Sequence, residues 1–201
     1  MPKLVLFSGP AGTGKTTISK KLLEYIPAIY LDKDTVGGRA SEKILDMSGM
    51  DINDRDSGFY KQHCRDLEYD STMDVALENL EVGSNVFLIG PFTKELANKK
   101  WIDETLNRAG LSQKDIDVKV VMVTLSNQEA QKERIIDRNT ERDNWKLNNW
   151  SEFVSGLKEI EINWNIPDEN ILRFDNSGEL TETKIKNIVE FINKNNKKTC
   201  E

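Results

Sequence analysis

The 201-residue sequence predicts an α/β protein in which a parallel sheet of about five strands lies between two layers of helices. Two observations carry this expectation. Apolar runs of four or five residues, the kind that suit strands buried on both faces of a parallel sheet, alternate with longer stretches of helical periodicity. No segment approaches the ~18 to 20 apolar residues needed to span a bilayer, and the chain shows neither an internal repeat nor a low-complexity linker. The length then suggests one domain over residues 1–201.

The first run, Leu4-Val5-Leu6-Phe7, ends in a glycine-rich turn. From Lys15 the periodicity becomes helical, with Ile18, Leu22 and Tyr25/Ile26 on one face until Pro27 stops it. Residues 28–31 read as a second strand. Residues 32–57 are rich in Asp, Gly and Ser and read as loop with one short helix over 42–47. A long helix is expected over 58–81, and the six carboxylates between Asp66 and Glu81 would form its solvated face. Asn85 to Ile89 supplies a third strand, closed by Gly90-Pro91, and 95–109 a helix ending at Gly110. Val118 and Val120 to Val123 mark a fourth strand over 117–125. Ser126-Asn127 caps a helix to about Arg138, with Glu129 three residues after Ser126. Residues 139–149 are polar and aperiodic, as expected of a mobile segment over a site. A helix from Ser151, a strand over 171–174 and a helix over 180–193 complete the pattern, with a frayed Lys- and Asn-rich tail.

Composition narrows the class. Charged residues are 31% and hydrophobic ones 37%, too polar for a membrane protein and too apolar for a disordered one. With 28 Lys and Arg against 34 Asp and Glu, the net charge of −6 argues against a broad basic face for duplex nucleic acid. Cys64 and Cys200 read as reduced thiols, and the four-residue apolar run at the N-terminus is too short for a signal-peptide core; a cytoplasmic protein is expected. His63 lacks partners for a metal site or a catalytic triad.

The specific motif is Gly9-Pro10-Ala11-Gly12-Thr13-Gly14-Lys15-Thr16, which fits G-x-x-x-x-G-K-[ST] at every fixed position and lies between a buried strand and an amphipathic helix. In such a phosphate-binding loop, glycines let backbone N–H groups surround phosphate oxygens, and the helix start adds partial positive charge. Gly9, Ala11, Gly12, Thr13, Gly14, Lys15, Thr16 and Thr17 are therefore the expected nucleotide-binding residues, with Lys15 between the β- and γ-phosphates and the Thr16 hydroxyl on Mg²⁺. The architecture sharpens to a P-loop NTPase sandwich with a small lid. A GTPase would need a base-reading N-K-x-D; the nearest fragment, Asn98-Lys99-Lys100-Trp101, lacks the carboxylate.

With the loop near the N-terminus, Asp32-Lys33-Asp34 after the second strand and an arginine-bearing segment before a polar stretch, the chain resembles the P-loop small-molecule and nucleotide kinases. These include shikimate kinase, gluconate kinase, chloramphenicol phosphotransferase, the zeta-toxin kinases and AAA-type ATP-binding proteins. The resemblance implies ATP and Mg²⁺ as cofactors and transfer of the γ-phosphoryl group to a hydroxyl of a small-molecule acceptor. It further implies that Asp34 contacts that hydroxyl and can act as base, that Asp32 supports Mg²⁺ through water, and that Arg138 and Arg142 clamp the transferring phosphate from a lid over 139–149. Arg134 shares a helical face with Arg138. Asp175 to Gly178 falls where these kinases pass the adenine edge.

The acceptor would be held by an insertion over about 35–75, in which Arg39, following Gly37-Gly38, could grip a carboxylate or phosphate. Trp145 and Trp150 could line the underside of the lid or anchor it in the core. The third strand carries no acidic residue, which removes a carboxylate often found near the metal in these kinases. Two other functions fit the same motifs: a nucleotide or polynucleotide 5′-hydroxyl kinase, and a non-catalytic ATP-binding switch.

Overall fold

A computed structural model describes residues 1–194. Five strands, β1 (Lys3–Ser8), β2 (Ile29–Asp32), β3 (Val86–Ile89), β4 (Asp117–Thr124) and β5 (Ile171–Asp175), form a single sheet in the order β2-β3-β1-β4-β5. Every pairing is parallel. The strand-helix alternation supplies the crossover connections that parallel neighbours need. Among the described residues, no helix is long and apolar enough to cross a membrane.

The helices are α1 (Lys15–Leu22), α2 (Lys33–Val36), α3 (Gly38–Met47), α4 (Gly58–His63), α5 (Arg65–Glu81), α6 (Thr93–Ala97), α7 (Trp101–Arg108), α8 (Gln128–Arg138), α9 (Asn144–Asn148), α10 (Trp150–Gly156) and α11 (Glu182–Asn193). The strands alternate faces, as a pleat must. Val5 and Phe7 pack with Ile18 and Leu22 of α1 and with Ile185, Ile188 and Ile192 of α11. Leu4 and Leu6 face the opposite way, into a layer built from Met73, Leu77 and Leu80 of α5, Leu96 of α6 and Leu106 of α7. A smaller cluster of Leu45, Tyr60 and Cys64 gives the segment between β2 and β3 a core of its own.

Several boundaries differ from expectation for identifiable reasons. The helix expected over 58–81 is two helices, broken at Cys64, whose φ of −116° lies outside the helical range. The break turns both Tyr60 and Cys64 onto Leu45, and it brings the Tyr60 hydroxyl to within 2.7 Å of Glu68 Oε2. The carboxylates of 66–81 are therefore not all on a solvated face: Glu68 is fully buried. Residues 33–47, expected mostly as loop, form α2 and α3, with the Asp32 carboxylate accepting from the Asp34 N–H at the start of α2. Gly37 serves helix packing rather than a ligand, since a Cβ there would sit 2.5 Å from Glu68 Cα on α5.

The expected helix over 95–109 divides into α6 and α7 at Asn98 to Lys100. Asn127, not Ser126, caps α8, its side chain accepting from the N–H groups of Glu129 and Ala130. The polar stretch 139–149, expected as a mobile segment over a site, forms a 3₁₀ turn over Glu141–Asp143 followed by α9, stabilised by the buried Asp143 carboxylate. The expected frayed tail and Cys200 lie outside the described residues.

One buried ion pair ties the second helical layer together. Arg65, at the start of α5, donates two bonds of 2.8 and 2.9 Å to the Glu95 carboxylate on α6 and lies 4.1 Å over the Tyr69 ring. Trp164 donates to the Glu95 carbonyl at 2.7 Å and stacks on Trp101 with the ring planes 11° apart. Removing Glu95 leaves the buried Arg65 guanidinium with only the exposed Asp66, at 2.7 Å, and removing Arg65 strips the buried Glu95 carboxylate of its ion pair. Glu95→Ala should lower unfolding free energy by about 3 kcal/mol or more in urea titration, whereas Arg65→Leu with Glu95→Leu should recover more than half of that loss.

Candidate active site

The carboxyl ends of β1, β2 and β3 open into a cleft of about 980 Å³. Ligands of parallel α/β sheets bind at this edge, where connections leave the central strands in opposite directions. One wall is the motif loop between β1 and α1. Gly9, Gly12 and Gly14 all have positive φ, and at Gly14, with φ +96°, a Cβ would lie 2.3 Å from Asn176 Nδ2. A side chain is excluded there by both backbone conformation and space. Gly14 caps α1 without a side-chain hydrogen bond, so the first-turn N–H groups are left for a ligand.

Two side chains from distant elements brace this loop. Asn176, after β5, donates to the Thr13 carbonyl at 2.9 Å, and Gln131 of α8 donates to the Ala11 carbonyl at 2.7 Å. Arg134 donates to the Asn176 carbonyl at 3.1 Å and fixes the brace in turn. Gln131 has no signal in the sequence. Asn176 does, within the stretch expected at the adenine edge, but its contact is with the loop itself.

Lys15 Nζ folds onto the loop, donating 2.7 Å bonds to the Gly9 and Pro10 carbonyls. Burial, with Arg138 nearby, lowers its ammonium to about 8 despite the opposing influence of Asp34 and Asp32. Thr16 and Thr17 line the same wall, as do Ala11 and Gly12.

Asp32 and Asp34 stand opposite, at the end of β2 and the start of α2. Burial raises the Asp32 carboxyl, with the Asp34 charge adding to the effect. Asp34 goes the other way: burial would raise it, but Lys33 Nζ at 2.6 Å and the Arg142 guanidinium at 3.6 Å, with Arg55 nearby, hold it at about 2. Lys33 is itself buried, 2.7 Å from the fully buried Glu68 carboxylate and 5.3 Å from the Tyr69 ring centroid. Its ammonium is raised well above the usual range, because Asp34, Tyr69, Tyr60 and Glu68 outweigh its burial.

The 139–149 segment reaches over the cleft. Arg142 approaches Asp34, Lys146 Nζ lies 3.7 Å from Asp56, and Asn53 donates to Glu141 at 2.8 Å. Arg138 donates through Nε to Asp143 at 2.8 Å, and Thr140 donates to the same carboxylate oxygen at 2.7 Å. The structure thus brings Lys15, Thr16, Asp32, Asp34, Arg138 and Arg142 to one cavity. It does not bring Arg39. That side chain is 94% exposed and contacts Glu42 at 3.4 Å. The reason is helical phase: α3 buries Gly38, Ser41 and Leu45, which turns Arg39 to solvent. Trp145 is 40% exposed beside a second cavity, and Trp150 packs on Phe153 rather than in either sheet core.

Phe92, in the loop after β3, is a bulky residue with φ +46°, held between Tyr69 and Trp101. Its neighbours Gly90, Pro91 and Thr93 line the cleft.

Fold and loop together define a P-loop nucleotide-binding protein. Residues 4–159 match the AAA domain family AAA_33, and the chain belongs to that family. Among solved structures, a candidate kinase from Chloroflexus aurantiacus superposes with a TM-score of 0.64 at 18% identity, over 95% of this chain and 96% of that one. A sugar kinase from a Janibacter species gives 0.59 at 15% identity, covering 95% and 94%. The protein TT1252 from Thermus thermophilus gives 0.51 at 16%, covering 94% and 95%. These likenesses are of fold. Comparison with curated proteins gives no match.

The lowered Lys15 pKa sets an expectation for ligand binding. A polyphosphate favours the ammonium, so binding restores a proton wherever free Lys15 has lost one. Affinity for a non-hydrolysable ATP analogue should fall as pH rises through about 8, and calorimetry in buffers of different ionisation heat should show proton uptake there. For folding the sign is opposite. The buried ammonium costs stability below about 8, and that cost is relieved as pH climbs toward the ordinary lysine value of 10.5, so stability of the free protein should not fall on account of Lys15 over that range.

Proposed function

We propose that the protein is an ATP-dependent kinase that transfers the γ-phosphoryl group to a hydroxyl of a small molecule. The observation that carries this reading is a single cleft with the phosphate-binding loop on one wall, the Asp34 carboxylate on the other and Arg138 and Arg142 above. Phosphoryl transfer asks a protein mainly for positioning and charge stabilisation, and these are the groups that provide both.

In the proposed reaction the acceptor oxygen forms a bond to the γ-phosphorus as the bond from that phosphorus to the β,γ-bridging oxygen breaks. ADP leaves, and the hydroxyl proton passes to Asp34 and then to solvent. With a carboxyl at about 2, Asp34 is a weak base in the free protein, so its first contribution is to accept the hydroxyl's hydrogen bond and aim the oxygen. Arg142 now lies beside Asp34; on binding a γ-phosphate it would turn from the carboxylate to the developing charge, making Asp34 more basic when transfer begins. Lys15 would leave its two carbonyl partners for the β- and γ-oxygens.

Thr16 and Asp32 would hold Mg²⁺. A threonine hydroxyl and one carboxylate suit this ion, which keeps several waters and needs few protein ligands when phosphates supply the rest. The same feature explains why no cluster of three or more metal-binding side chains is needed; none occurs among the described residues. Bound Mg²⁺ supplies charge neutralisation at the phosphates. Closure of the 139–149 segment as a lid would exclude water, the competing nucleophile.

Acceptor-stimulated ADP formation tests the reading. Asp34→Asn should lower kcat about 10²-fold or more with an acceptor that wild type phosphorylates, while a non-hydrolysable ATP analogue still binds. Unchanged turnover would exclude the role given to Asp34, and ATP binding without acceptor-dependent turnover would favour a switch protein instead.

A further inference from the structure

The cleft carries more positive charge than a nucleotide's phosphates account for. Ten Lys and Arg side chains line it against five Asp, in a chain whose net charge is −6. Lys15, Arg134, Arg138 and Arg142 stand around the phosphate loop and its brace. Lys33 is matched by Asp34 and Glu68, Arg65 by Glu95 and Asp66, and Lys146 by Asp56 and Asp143.

Three cations are left: Lys61 and Lys94, neither with a close carboxylate, and Arg55, which faces the Glu68 carboxylate at 3.7 Å. Lys61, on α4, has no ion-pair partner among the described residues, and Lys94, on α6, has only the exposed Asp66 at 3.8 Å. Arg55 precedes α4. Its side chain is 9% exposed and pinned by Nη1, which donates to the Ile52 and Asp54 carbonyls at 2.9 and 2.7 Å, and it lies 5.4 Å from the Tyr60 ring centroid. Its Nε and Nη2 are buried without a hydrogen-bond partner, Nε standing 3.7 Å from the equally unpartnered Glu68 Oε1. Arg55, Asp56 and Arg142 also line a second cavity of about 330 Å³, so they form the wall between it and the cleft. A fixed guanidinium that lines the cleft and keeps two donors buried without partners is an incomplete site, since buried donors are otherwise satisfied.

We infer that the acceptor carries an oxyanion, a carboxylate or a phosphate, received in the cleft by Arg55 with Lys61 and Lys94. This deepens the kinase reading and rests on it for the word acceptor, but the site itself is a statement about binding. The Lys61 and Lys94 ammonium groups would draw the anion in from solvent, an attraction that salt weakens. Arg55 would orient it through paired hydrogen bonds, placing a hydroxyl elsewhere on the molecule beside Asp34.

The test uses two pairs of probes that differ in charge: gluconate against sorbitol for the carboxylate, and thymidine 3′-monophosphate against thymidine for the phosphate. Binding to the full chain is measured by calorimetry with a saturating non-hydrolysable ATP analogue, and ADP formation is followed with ATP. In at least one pair the charged member should bind about tenfold or more tightly, and Arg55→Gln and the double variant Lys61→Gln/Lys94→Gln should each reduce that ratio about tenfold. Which pair responds tells carboxylate from phosphate. The lysine variants are exposed changes that keep the test valid should Arg55→Gln fail to fold. Equal binding within both pairs, or a preference that neither variant changes, overturns the inference. ADP formation with a neutral alcohol alone would overturn the oxyanion site and leave the kinase, whereas a charge preference without any ADP formation would leave the site and remove the kinase.

Discussion

At the carboxyl edge of the sheet, the geometry depends on how one fully buried carboxylate is neutralised. Glu68 accepts from Lys33 and from Tyr60, each at 2.7 Å, and faces Arg55 at 3.7 Å. A carboxylate in such a place is costly unless charge and hydrogen bonds compensate it, so α2, α4 and the segment before α4 are all drawn to one point on α5. Lys33 spends its second bond on Asp34, which fixes that carboxylate's direction and keeps it ionised. Gly37 belongs to the same packing, since only a residue without a Cβ lets the α2–α3 junction approach the backbone of Glu68.

The fold and the phosphate wall were legible in the sequence because each rests on local signals. Strand burial writes itself as an apolar run, and positive φ as glycine. The family shown by residues 4–159 agrees with what the loop implied. Asp32 and Asp34 could be placed because they follow directly on a strand, and Arg138 and Arg142 because their spacing spans the end of one helix.

What the sequence concealed is what depends on distant contacts. Glu68 looks like its neighbours Asp66 and Asp70 until Lys33 and Tyr60 are brought to it. Arg39 and Arg55 look alike as arginines in an irregular segment, yet one projects to solvent from α3 and the other is buried against Tyr60. Helical phase turns Arg39 outward, while two backbone carbonyls and the Tyr60 ring hold Arg55 in a loop, and neither could be read from a stretch expected as irregular. The break at Cys64 is hidden for a related reason: a small buried cluster, not a proline or glycine, ends α4.

The brace on the phosphate loop has a consequence for how the molecule comes into being. Asn176 and Thr13 are 163 residues apart, so the most local motif in the chain is completed by one of its longest-range contacts. During synthesis the glycine-rich turn emerges early, but its conformation is secured only after β5 has been made and has docked beside β4. A nascent chain would acquire its nucleotide pocket as one of the last events of folding.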